Sequence, residues 1–144
     1  MGTRSLTFIY ETRTVSEPQP LMCMYKQMDG YPSGYGKNLF DFLKDFTIIN
    51  GMGNLDPDKK YANGAGCLAA QLVAHFKTDV GGFYLYPTNT YDVGEQYTYD
   101  IFPPEINEFN DKQIWHIEVS DSADEVIFAG DLQEFGKFCE KHGD

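Results

Sequence analysis

Residues 5–11, SLTFIYE, alternate and put Leu6, Phe8 and Tyr10 on one face, the period of a strand. Residues 21–28, LMCMYKQM, are apolar and suited to a strand. The polar, proline-containing TRTVSEPQP between them predicts a hairpin with a loose loop. After MDGYPSGYGK the period changes. Leu39, Phe42, Leu43 and Phe46 share one helical face, which predicts a helix from about Lys37 to Thr47. NGMGNLDPDKKYANGAG reads as a long turn-rich connection. CLAAQLVAHFK then predicts a second helix from about Cys67 to Thr78, with Leu68, Leu72, Val73 and Phe76 as its buried stripe.

The second half reads as strands. GFYLYP is one, ended by Pro87, and TNTYDVGE is the turn after it. QYTYDIF is the next, ended by Pro103 and Pro104. KQIWHIEV puts Trp115, Ile117 and Val119 on one face and Ile114, His116 and Glu118 on the other. DEVIFAG is a short last strand. DLQEFGKFCEKH predicts a closing helix: Asp131 and Glu134 have capping-box spacing, and Leu132, Phe135 and Cys139 face inward. With no internal repeat and no linker, the order β-β-α-α-β-β-β-β-α predicts one α+β domain over residues 1–144. Its sheet is mostly antiparallel, with about three helices packed on one face and Trp115 on the buried side.

Composition changes this picture in three ways. Hydrophobic residues at 42% and aromatics at 15% supply enough apolar surface for a core, which excludes a disordered chain. No apolar run approaches the roughly 18 residues of a membrane span. The opening MGTRSLTFIYE lacks a signal peptide's apolar stretch, and Leu6 stands where the myristoylation pattern needs Ser or Thr. Cys23, Cys67 and Cys139 are odd in number and widely spaced, as expected of reduced thiols. The expectation is a cytoplasmic protein with no membrane association. The charge is uneven. Residues 1–77 carry eight Lys/Arg and seven Asp/Glu, and residues 78–144 carry three and fifteen, so +1 and −12 make the net −11. Direct nucleic-acid binding is disfavoured, because it needs cations to displace counterions. An anionic ligand is expected in the first half. The acidic half is either a solvated surface or a surface for a basic protein partner.

MGTRSLT, YKQMDGYPSG and GCLAAQLVAHFK together resemble a small family of proteins from tailed phages, large DNA viruses and scattered bacteria. The similarity spans most of the chain and is most specific in DGYPSG and GCLAAQL. It implies a viral or mobile-element accessory protein, working in the host-cell cytoplasm, and implies no particular activity.

The glycine-rich loop is the first candidate site. Gly30, Gly34 and Gly36 alternate with Tyr31 and Tyr35, and Lys37 opens the helix. Glycines let backbone N–H groups approach a ligand, and a helix start attracts anions. A site of Arg4, Lys26, Tyr31, Ser33, Gly34, Tyr35, Gly36 and Lys37 would suit a small anionic, nucleotide-like ligand. The glycine spacing departs from GxxxxGK[ST], with Asn38 in the Ser/Thr position, so the alternative is a tight turn pinned by aromatic rings. Cys67 is the second candidate. At a helix start its thiol would be acidified, and with His116 and Glu118 it would complete a cysteine hydrolase's triad. The alternative is a packed structural thiol, the preferred assignment, so an enzyme is the lesser expectation. His75, His116 and His142 lack metal-ligand spacing, and no metal or cofactor is expected. The tyrosines of FYLYP and YTYD read as half-buried sheet surface or as an aromatic wall. Three functions follow in order: a binding protein for a small anion, a hydrolase using Cys67, and an acidic protein that blocks a basic host partner.

Overall fold

A computed structural model describes residues 2–13, 15–51 and 53–142. Strands β1 (Ser5–Tyr10) and β2 (Pro20–Lys26) form the expected hairpin, antiparallel from Ser5↔Lys26 to Ile9↔Met22. One wide π-helical turn (Pro32–Gly36) runs straight into α1 (Lys37–Leu43). Two short strands follow, β3 (Phe46–Ile49) and β4 (Lys60–Asn63), parallel to each other. Next come α2 (Gly64–Phe76), β5 (Phe83–Tyr86), β6 (Tyr97–Phe102), β7 (His116–Asp121), β8 (Val126–Gly130) and α3 (Leu132–Lys141). The main sheet has the order β5-β2-β1-β6-β7-β8. Two antiparallel three-stranded halves meet at one parallel junction, β1 against β6. The protein is thus an α+β domain with a mostly antiparallel sheet.

All helical core residues lie on one side of that sheet. Leu39, Phe42 and Leu43 of α1, Leu68, Ala69 and Leu72 of α2, and Leu132, Phe135 and Cys139 of α3 pack with Ile9, Met24, Tyr99, Ile101, Trp115, Ile117 and Val119. Trp115, Ile117 and Val119 are buried together, as their period-two spacing predicts. The α3 capping box is formed: the Asp131 carboxylate accepts from the Glu134 N–H at 2.8 Å, and Glu134 accepts from the Asp131 N–H at 3.0 Å.

Four boundaries differ from the sequence expectation. The first helix ends at Leu43, not Thr47. Phe46 begins β3, whose Phe46 and Ile48 are buried while Thr47 and Ile49 are half-buried. The β-branched run Thr47-Ile48-Ile49 favours a strand, and Phe46 fits either period. The segment read as one long turn contains β4, in which only Ala62 is buried. The second helix starts at Gly64, three residues before Cys67. The strand expected from Lys112 begins at His116. There the Gln113 side chain replaces strand pairing: its amide donates to the Ile48 carbonyl at 2.8 Å and accepts the Ile48 N–H at 2.7 Å. That one side chain satisfies the edge of β3 as a neighbouring strand would.

Candidate functional site

The glycine-rich loop is folded into the helix side of the protein. Tyr35 is 1% exposed, and its hydroxyl shares a hydrogen bond of 2.7 Å with Thr7 Oγ1 on β1. Its ring meets Phe76 and Tyr99 edge-on. The Tyr99 hydroxyl donates to the Gly30 carbonyl at 2.7 Å. Burial, opposed only weakly by hydrogen bonding, holds the Tyr35 hydroxyl firmly protonated. The loop amides turn inward: Gly30 N–H donates to Thr3, Gly34 and Gly36 to Tyr31, Tyr35 to Asp29, and Lys37 to Gly34 and Pro32. The glycines are required by packing. A Cβ on Gly30 would meet Ser5 at 2.6 Å, and one on Gly36 would meet Cys139 Sγ at 2.9 Å. One on Gly34 would meet the Tyr31 ring at 2.9 Å, and Ser33 is exposed.

The three cations proposed for this loop do not converge, although Lys26 Nζ lies 6.0 Å from the centroid of the loop's Tyr35 ring. Arg4 Nη1 donates to the Val93 carbonyl at 3.4 Å. Lys26 Nζ lies 4.4 Å from the centroid of Phe83, where burial lowers its pKa. Lys37 Nζ is 3.6 Å from Glu140 on α3.

The Cys67–His116 pairing is not formed. Cys67 is exposed in the first turn of α2, where its thiol donates to Gln71 Oε1 at 3.3 Å. His116 alternates with Trp115 and Ile117, so it projects from the opposite side of the sheet to α2. Only the His116–Glu118 part of the triad is present, at 2.7 Å.

Among the described residues, that opposite side carries no helix. Its buried cluster comes from strands and a loop: Leu6, Phe8, Cys23 and Tyr25, with Tyr10, Tyr86 and Val93 against them. Over β5, β2 and β1 the face is closed by apolar packing, including the stacked rings of Tyr25 and Tyr86 at 5.0 Å. Over β6 and β7 it is open. Register puts Thr98, Asp100 and Phe102 beside Ser120, Glu118 and His116, and all six are half-buried. Sequence reasoning singled out His116 and Glu118 here but missed Tyr10, Asp100 and Phe102. The signal was the D in YTYDIF, a charge at an alternating strand position.

The cluster is internally organised yet incompletely satisfied. Tyr10 stacks on Phe102 at 4.4 Å and 13°, and its hydroxyl donates to Asp100 Oδ1 at 3.1 Å. Phe102 meets His116 at 5.7 Å. Asp100 faces Glu118 directly across the strand pair. Among the described residues, Asp100 Oδ2 and Glu118 Oε1 accept no hydrogen bond. Burial pushes the Asp100 carboxyl up to about 6. The Tyr10 hydrogen bond opposes this and the neighbouring Glu118 charge adds to it. Burial and the charge of Asp100 also raise the Tyr10 hydroxyl. Following β6 and β7 past Thr98 and Ser120, the face leads to a cavity of about 490 Å³ lined by Tyr91, Asp92, Glu95, Gln96, Ser122 and Asp124. From Phe102 to Gln96 the strip runs about 20 Å at the rise of a strand. None of the strand positions that project from this side is Lys or Arg, and Arg4 stands at its rim.

No helix among the described residues is long and apolar enough to cross a membrane. Among the same residues, no group of three or more His, Cys, Asp or Glu side chains is arranged to hold a metal ion. No family model, curated protein or solved structure matches this chain.

Proposed function

We propose that this is a binding protein that docks a basic polypeptide segment on the helix-free face of its sheet, along β6 and β7. The observation that carries the reading is Asp100. A carboxylate at a half-buried strand position, next to a second carboxylate and against aromatic rings, works against folding when ionised. A cationic partner would turn that liability into affinity, as destabilising groups at functional sites commonly do. The acidic cavity at the end of the strip extends the same charge, and the surplus of Asp/Glu in residues 78–144 would speed encounter with a basic partner. The resemblance to viral and mobile-element proteins supports a host protein as the partner, blocked where it carries positive charge.

This reading ranks above the small-anion reading because the loop amides that would hold an anion already donate to carbonyls within the protein. The test is a titration with a lysine- and arginine-rich peptide of about ten residues, with a neutral peptide as control. Binding that weakens steeply with salt, and falls at least tenfold in an Asp100→Asn/Glu118→Gln variant, is expected. Equal loss from removing two exposed carboxylates away from the strip, Asp45 and Glu140, would reduce the effect to net charge and overturn the reading.

A further inference from the structure

Within that strip two carboxylates stand side by side next to aromatic rings, and that arrangement selects among cations. Asp100 and Glu118 are cross-strand neighbours, which sets their Cβ atoms about 5 Å apart. Each uses one oxygen internally, on Tyr10 and on His116, and each keeps the other open. Tyr10, Phe102 and His116 form an aromatic row along one end of the pair. An ammonium has three donors and can also bridge two oxygens, but a planar fork is pre-organised to do so and loses less freedom for each bond it makes. A cation that lies against aromatic rings must also shed water easily. A guanidinium has both properties, being planar, forked and weakly hydrated. An ammonium is a compact, strongly hydrated point charge.

We infer that the strip is specific for arginine: one arginine of the basic segment spans Asp100 Oδ2 and Glu118 Oε1 with its plane against the face of the Phe102 ring that Tyr10 leaves uncovered. This rests on the docking proposed above and adds the identity of the anchoring side chain. The rest of the segment runs along β6 and β7, so a second cation reaches the cavity of Asp92, Glu95 and Asp124. That cavity has no aromatic row comparable to Phe102 and His116, and either Arg or Lys serves there.

The experiment uses the full chain and a pair of fluorescently labelled ten-residue peptides, one with arginine and one with lysine at every basic position, followed by anisotropy. In the wild type the arginine peptide should bind at least tenfold more tightly. Phe102→Leu, which keeps the position apolar, should shrink that ratio to about two while leaving lysine binding unchanged. Asp100→Asn, which keeps the acceptor for the Tyr10 hydroxyl, should lower affinity for both peptides and arginine the more. Circular dichroism confirms that each variant is folded. If both peptides bind the wild type equally, the arginine assignment is wrong and the docking face stands. If neither binds at low salt, the docking face itself is wrong. A ratio that survives Phe102→Leu unchanged would also overturn the assignment, because it would place the preference elsewhere.

Discussion

The two sides of the sheet spend their polar groups differently. On the helix side, Thr7, Tyr35 and Tyr99 are buried, and their hydroxyls are joined to each other or to the backbone, while the buried Ser5 hydroxyl against Gly30 is the one left without a partner among the described residues. On the other side, Tyr10, Asp100, His116 and Glu118 are half-buried and leave carboxylate oxygens open. A satisfied buried network fixes one packing arrangement. A partly satisfied one at the surface lowers stability and stays available for a partner. The glycines divide in the same way. Gly30 and Gly36 leave no room for a methyl group, whereas Gly66 in the first turn of α2 has nothing within 4 Å of a Cβ. A glycine therefore reports close packing at one place and open space at another, and only the neighbours distinguish the two.

Substitutions should sharpen this contrast. Gly36→Ala should have the largest effect, a loss of about 2–3 kcal/mol by urea denaturation, because Cys139 Sγ and the Tyr99 hydroxyl occupy the space of the new methyl. Asp100→Asn should act in the opposite direction. The folded chain binds the Asp100 proton more tightly than the unfolded chain does, so ionisation lowers stability as pH rises from about 4 through 6. The variant should gain about 1–3 kcal/mol at pH 7.5, and the gain should vanish near pH 4; a gain independent of pH would contradict this. Tyr99→Phe should cost about 1–2 kcal/mol by leaving the Gly30 carbonyl without its donor. Gly66→Ala should be the mildest, a gain of at most about 1 kcal/mol from helix propensity, read as a small rise in melting temperature.

Much of the fold was legible because burial leaves a period in the sequence. The β1–β2 hairpin, the α3 capping box and the Trp115-Ile117-Val119 face all follow from local spacing. What failed to show depends on contacts distant in the chain. The parallel β1–β6 junction brings Tyr10 and Asp100 together across ninety residues, and no local pattern encodes that. β3 ran into the apolar spacing of α1, and Gln113 gave no sign that its side chain would pair with Ile48. Of the candidate site, His116 and Glu118 were legible as same-face neighbours, but their partners lie across Asp100 and Phe102 and not at Cys67. The glycine loop drew attention because its composition suits ligand approach and tight packing equally. The positions the glycines pack against, Ser5, Tyr99 and Cys139, lie far away in sequence.

The central claim is that the helix-free side of the sheet is the docking face. Its most direct test is an amide chemical-shift map of the isotope-labelled protein, titrated with an unlabelled arginine-rich peptide. We predict that the largest shifts fall on Thr98–Phe102 and His116–Ser120, extend to Asp92–Gln96, and are lost in the Asp100→Asn/Glu118→Gln variant. Shifts centred on Tyr31–Lys37, or spread evenly over the exposed surface of α3, would contradict it.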